Sequence, residues 1–341
     1  MTMRSDVATL ANEGRVSSLW ARLSAPLALQ KLFAFASLIV MLVVFSFLSP
    51  AFMQTENMLG ILQATAVNGV LAIASTFVII TGGIDLSVGT LMTFCAVICG
   101  VVLTNWGLPM WTGVVAAIAT GALSGAISGT LTAKMKLPPF IATLSMMMVL
   151  KGLSLVVSAD KPIYFDNTPN FYMISQASVI GLALPKLPIP NAVLILFTLA
   201  IAGSFVLTRT LFGRYTFVIG GDEEAVRLSG VNVDLWKTAI YSLDGAICGV
   251  AGLLIASRLD SAQPALGQGY ELEAIAAVVI GGTSLSGGTG TILGTIIGAF
   301  IISVLTNGLR ILSVAQEWQL VVTGLIIVLS VYVDILRRKR G

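Results

Sequence analysis

The sequence predicts an all-α polytopic membrane protein with about ten transmembrane helices, an internal repeat and broken helices. Two observations carry the class. Hydrophobic residues make up 56% of the 341 positions and charged residues only 10%, against about 25% charged in an ordinary soluble domain. The apolar residues are also gathered into runs close to the roughly 20 needed for a helix to cross the hydrocarbon. A third observation, a glycine-rich phrase written twice between such runs, predicts the repeat and the breaks.

The runs lie at 32–49, 59–80, 87–104, 111–133, 140–158, 190–208, 238–257, 290–308 and 317–335, with a shorter, glycine-interrupted run at 272–283. Counting the short run gives ten spans. Cytoplasmic loops carry the excess of Lys and Arg, and charge favours ten. With both ends inside, Arg4, Arg15, Arg22, Lys31, Lys134, Lys136, Arg209, Arg214, Arg227, Lys237 and the tail Arg337, Arg338, Lys339 and Arg340 all fall on the cytoplasmic side. Nine spans would put the basic tail outside. The expected organisation is a cytoplasmic segment 1–31, a transmembrane domain 32–335 and a basic cytoplasmic tail 336–341. Residues 159–189 form an outer loop, and 209–237 form the largest inner loop. In that inner loop DEEAVRL (222–228) reads as a short helix, acids first and arginine last, as the helix dipole prefers.

Composition excludes several functions. Histidine is absent, so no His-based acid–base or metal chemistry is available. Cys95, Cys99 and Cys248 lie in apolar runs without disulfide or zinc spacing. No phosphate-loop motif with its lysine occurs, and no nucleophile–base set is present. The chain is expected to be no enzyme, to hold no metal and to bind no cofactor itself.

The repeated phrase is TGGIDLSVGT (81–90) and IGGTSLSGGT (280–289). Placing Gly82, Gly83 and Gly89 on Gly281, Gly282 and Gly288 gives six identities in nine positions, and VLTN recurs at 102–105 and 304–307. Such segments are poor helix, and irregular backbone cannot face lipid. They read either as broken helices beside a transport path or as tight cytoplasmic turns. Asp85 adds a carboxylate, which costs about 2.5–3.5 kcal/mol within a span unless it finds a cavity or partner. Ser87 is placed to cap the following helix. Asn68, Thr143, Lys151, Asp244 and Glu273 are further polar residues inside or beside spans, open to either a path or packing roles. Lys151 calls for a counter-ion, with Asp85, Asp244 and Glu273 as candidates. Glycines recurring every four residues at 121, 125 and 129, at 245 and 249, and at 290, 294 and 298 predict close helix packing.

GRYTFVIGGDEEAVRLSGVNV (213–233), TGGIDLSVG, PFIATLSMMMVLKG (139–152) and the stretch 261–299 together resemble the ribose-type permeases of bacterial ABC sugar importers, over roughly 30–335. The resemblance implies a homodimeric permease in the bacterial inner membrane. A separate ATPase subunit, carrying ATP and Mg, would dock inside, and a periplasmic or extracellular binding protein would deliver a sugar, ribose first. It places Glu224, Ala225 and Gly230 in an ATPase-coupling loop, with Asp222, Glu223, Arg227 and Ser229 around them. Three residues depart from the family pattern: Asp222 stands where asparagine is common, Asp244 where a small neutral residue is usual, and Lys151 where arginine is common, which keeps the charge and loses the bidentate fork. The competing expectation is a gradient-driven secondary transporter using Asp85, Lys151 or Asp244 as a proton site.

Overall fold

The computed structural model describes residues 26–338 apart from 167, 169 and 184–187. Most of the expected N-terminal segment, Lys186 and the end of the basic tail lie outside the described residues. The described residues are mostly helical. Helices α1 (Pro26–Leu48), α2 (Thr55–Ile80) and α3 (Val88–Gly100, continued by a π-helical turn Val101–Asn105) come first. They are followed by α4 (Met110–Ala133), α5 (Pro139–Ser158) and α6 (Asn191–Arg209). Two short helices, α7 (Leu211–Gly221) and α8 (Glu223–Leu228), lead into α9 (Val233–Leu259). The chain ends with α10 (Tyr270–Ile280), α11 (Ile292–Ile311) and α12 (Gln316–Arg338). The one strand pair among the described residues is β1 (Ile163–Tyr164) antiparallel to β2 (Ser261–Ala262), which ties the outer loop to the end of α9.

Among the described residues seven helices are long and apolar enough to cross a membrane: α2, α3 with its π turn, α4, α5, α6, α9 and α11. Two more, α1 and α12, carry shorter apolar stretches, Leu32–Leu48 and Gln316–Leu329. The expected span at 272–283 is not one continuous membrane-length helix. Its helix α10 has only 11 residues, about 16 Å at 1.5 Å per residue, half of the roughly 30 Å hydrocarbon core. The preceding residues 263–269 run as irregular chain packed on α3, so close that a side chain at Gly267 would strike the Gly89 carbonyl and Thr93. Irregular backbone of this kind is tolerated at membrane depth because it is buried in protein.

Helix α2 is the axis. Every residue from Thr65 to Ile80 is buried, as expected of a helix that is apolar all round and packed on all sides. Peripheral helices keep a large apolar face outward, with Phe47 on α1, Val156 on α5 and Ile201 on α6 all strongly exposed. The glycine periodicity does what the sequence predicted. Cβ atoms at Gly121 and Gly125 on α4 would collide with the Gly245 and Tyr241 carbonyls of α9, and one at Gly245 would strike Gly121 in return. Gly294 and Gly298 of α11 stand equally close to Gly281 and Ala277 of the α10 arm. Lipid supplies no hydrophobic drive between helices, so this backbone proximity is the packing force. Helix α9 starts five residues before its apolar run because Asn232 caps it, its Oδ1 accepting from the Leu235 N–H at 3.1 Å.

Gly125→Leu has no space except by separating α4 from α9, and is expected to cost about 3 kcal/mol or more. Gly152→Leu on α5 meets nothing within 4 Å. Thermal melts of the two variants in detergent check this: the first should lose a large part of the folded yield and melting temperature, the second neither.

Candidate functional site

The two glycine phrases are helix terminations, and both end in the same way. At the end of α2, Gly82 is left-handed (φ +78°), with its N–H donating to Ile79 O at 2.9 Å and that of Gly83 to Val78 O at 3.2 Å. At the end of α10, Gly282 is left-handed (φ +93°), and the N–H groups of Gly282 and Thr283 donate to Val279 O and Val278 O at 2.9 and 3.1 Å. This paired pattern satisfies the last carbonyls of a helix and needs glycine at its left-handed position. It also shifts the expected correspondence by one: Gly82 matches Gly282 rather than Gly281, and Gly83 matches Thr283. Gly89 and Gly288 are not equivalents either. Gly89 lies in the first turn of α3, whereas Gly288 (φ +74°) is still in the second break, four residues before α11.

The breaks meet each other. The Gly288 N–H donates to the Ile80 carbonyl at 2.9 Å, and a Cβ on Gly82 would touch the Ser286 carbonyl at 3.6 Å. Gly220, in the last turn of α7, is pressed on the same spot, since a Cβ there would strike the Ile80 carbonyl and lie 2.7 Å from the Gly288 nitrogen. One small region thus joins the end of α2, the second break and the helix that leads into α8.

The first break is fastened on two sides. Asp85, 2% exposed, accepts from both the Ser87 N–H and the Ser87 Oγ–H through Oδ1, each at 2.6 Å. This corrects the expected cap: Ser87 occupies the N-cap position of α3, but its hydroxyl is a donor to Asp85 and caps nothing. Thr143 Oγ1 of α5 accepts from the Leu86 N–H at 3.2 Å and shares its own hydrogen between the Ile84 and Pro139 carbonyls at 3.1 and 2.9 Å. Asp244 of α9 lies against Asp85. It stands eleven residues into α9, about 16 Å along the helix, so the first break lies deep in the bundle rather than at its edge.

The remaining polar candidates fall elsewhere. Asn68 on α2 donates from Nδ2 to Glu273 Oε2 on α10 at 2.6 Å. Lys151 has no carboxylate partner; its Nζ donates to Gln268 Oε1 at 3.1 Å. The expected counter-ions, Asp85, Asp244 and Glu273, are all engaged away from it, because α5 presents Lys151 to the irregular 263–269 segment rather than to the breaks. Thr90, Thr93, Ser154 and Gln268 surround Lys151 in a crevice of about 10 Å³, about the space of one water. The residues expected along one path therefore form three clusters. Gln268 and Tyr241, which complete two of them, escaped the sequence reading. Tyr241 lies three residues before Asp244, on the same helix face, and that spacing was the available signal.

The 222–237 segment is built by charge. Asp222 caps α8, with Oδ1 accepting from the Ala225 N–H at 2.9 Å. The helix is then clamped to the start of α9: Glu223 pairs with Lys237 at 2.9 Å and with Arg227 at 3.1 Å, and Arg227 pairs with Asp234 at 2.9 Å. These are all the ion pairs among the described residues. Partial burial works against the Glu223 charge, but the hydrogen bond and charge of Lys237, and then those of Arg227, outweigh it and hold the carboxyl below its ordinary value. Glu224 takes no part in the clamp, Ser229 donates to the Val226 carbonyl at 2.7 Å, and Gly230 is left-handed (φ +86°) with open space around it. Leu228 projects with 83% of its surface exposed. A cavity of about 530 Å³ lies beside the clamp, between Glu224, Arg227 and the α4–α5 turn at Lys136.

The family described as branched-chain amino acid transport system / permease component matches residues 57–331. The chain belongs to this family. Among its curated relatives, the ribose import permease protein of Escherichia coli (strain K12) is 42% identical over 298 residues, covering 87% of this chain and 91% of that protein. The ribose import permease protein of Bacillus subtilis (strain 168) is 43% identical over 308 residues, 90% and 93% of the two chains. The xylose transport system permease protein of Escherichia coli (strain K12) is 33% identical over 372 aligned residues, 92% and 94%. No solved structure matches. With family and helices together, the chain is a multi-pass membrane permease component.

Thr143→Val removes the acceptor of the half-buried Leu86 N–H, an expected loss of about 1 kcal/mol. Hydrogen exchange should then quicken at residues 84–87 and stay unchanged in α8. Glu223 gives a second expectation. Its folded pKa lies below the ordinary 4.5, so its contribution is complete above pH 4.5 and is lost as pH falls below that. The pair is largely exposed, which limits the effect to under about 1 kcal/mol. Exchange protection of 223–228 should hold from neutrality to about pH 5 and drop below, a drop that Glu223→Gln abolishes.

Proposed function

We propose that the chain is the membrane-spanning permease subunit of an ATP-driven importer for a monosaccharide, with ribose or a similar sugar as the solute. It carries the solute path and hands the energetic step to a separate ATPase subunit, and is no catalyst itself. It works as a homodimer in the bacterial cytoplasmic membrane with both termini inside. A periplasmic or extracellular binding protein supplies the sugar. The relatives named for ribose and xylose support the solute class.

The observation that carries the coupling assignment is the continuity from α8 through α7 to the breaks. Helix α8 is a capped, ion-paired knob with Leu228 exposed at its end. It follows α7 directly, and Gly220 of α7 is wedged where the two breaks touch. An ATPase that grips Glu224, Leu228 and Gly230 would move α8 with α7 and so displace the junction of Ile80 and Gly288. Asp85, Ser87 and Thr143 set the shape of the first break, while Asn68 with Glu273 and Lys151 with Gln268 offer polar groups along the way. These assignments support alternating access, with ATP binding and hydrolysis in the partner driving the junction.

The test is mild-detergent copurification of the tagged protein from its own membrane, with mass spectrometry of what accompanies it. An ATPase subunit at near-stoichiometric yield is expected. Glu224→Arg and Leu228→Asp should each lower that yield and ATP-dependent sugar uptake at least tenfold, about 1.4 kcal/mol of docking, with an unchanged melting temperature. Uptake that survives ATP depletion and stops with an uncoupler would instead assign a gradient-driven transporter.

A further inference from the structure

The most unusual chemistry in the bundle lies outside the coupling segment. Asp85 and Asp244 are 2% and 0% exposed and lie against each other. Asp85 Oδ1 is taken by Ser87, but Asp85 Oδ2 and both carboxyl oxygens of Asp244 have no hydrogen-bond partner. A fully buried side chain, Tyr241, is directed to the same place. Its hydroxyl stands 2.5 Å from where a Cβ on Gly83 would be, it interacts with both carboxyl groups, and it too lacks a partner. Thr132 beside it donates instead to the Ser128 carbonyl at 2.9 Å.

Among the described residues no cation pairs with these acids. Lys151 is bound to Gln268, and the ion pairs among the described residues all lie in the 222–237 segment. The other titratable group facing the pair is the thiol of Cys248 on α9, with Cys95 of α3 behind it, and neither brings positive charge. Glu271, which packs at Gly89, is occupied by the Gly269 N–H at 3.1 Å. Two carboxylates in contact inside a membrane protein, with three oxygens unpaired, cannot persist without a compensating charge.

We propose that Asp85, Asp244 and the Tyr241 hydroxyl form a buried site for one monovalent cation, a proton shared by the two acids or a sodium ion held between them. Either source supplies the same chemistry: a single positive charge that turns repulsion into attraction and gives the unpaired oxygens a partner. A proton needs no cavity and makes one short hydrogen bond. A sodium ion would draw further oxygens from the surrounding backbone. In both cases the site locks the first break to α9, so occupancy of the site and the position of the break are linked.

The experiment uses the full-length protein in lipid nanodiscs at neutral pH. Infrared spectra of wild type and Asp244→Asn are compared for a protonated-carboxyl band, and melting temperatures are compared in sodium and in choline at equal ionic strength. A band present in wild type and lost in Asp244→Asn, with no sodium effect, assigns the proton. A sodium-dependent rise in melting temperature that Asp244→Asn loses, without such a band, assigns the sodium ion. Absence of both in wild type overturns the proposal. Both readouts are taken on wild type first, and Asp85→Asn is the second variant if Asp244→Asn does not fold.

Discussion

The architecture depends on one constraint: irregular backbone at membrane depth has to be enclosed by protein. This chain carries three such segments, the two glycine breaks and the 263–269 run that precedes α10. Each is roofed by neighbours at backbone contact. Helix α2 is central because it ends in one break and its terminal carbonyl, that of Ile80, accepts from the other. The half-length α10 is tolerable only because α2, α3 and α11 enclose it. Where an amide would otherwise be orphaned, a side chain meets it: Thr143 takes the Leu86 N–H and Asp85 takes that of Ser87.

The glycines are the means of enclosure, and they act in two ways. Those of α4, α9 and α11 have ordinary helical backbone and matter for what they lack, a Cβ that would hold neighbouring carbonyls apart. Gly82 and Gly282 matter for conformation, ending helices in a left-handed turn that returns the chain onto the last carbonyls. Gly220 is of the first kind and carries the most mechanical consequence. Its missing side chain lets α7, the helix that leads into α8, sit on the junction of both breaks.

Charge is divided in a complementary way. At the 222–237 segment Glu223, Arg227 and Asp234 are paired and partly exposed, with Lys237 buried behind them, where ion pairs stabilise geometry weakly. In the bundle the acids make no ion pair among the described residues, although the charge of Arg310 reaches Glu273. Asn68 answers Glu273 and Gln268 answers Lys151, amides serving where a counter-ion would have been expected. Among the described residues Asp244 makes no ion pair.

The sequence by itself determined the class, the long apolar helices and the short helix at 222–228. These follow from local physics: apolar runs of membrane length, glycine every fourth residue, and a segment at 222–228 whose acids come first and whose arginine follows. It also marked both breaks, because paired glycines stop a helix wherever they stand. Only the tertiary structure decided that α10 is half a span, that Gly82 corresponds to Gly282, that Ser87 donates rather than caps, and that Lys151 meets Gln268 while Asp85 meets Asp244. The reason is common to all four. A residue's partner at long sequence separation is set by which backbone can approach which, and that is fixed by helix crossings between glycine faces far apart in the chain, not by any spacing within a single run.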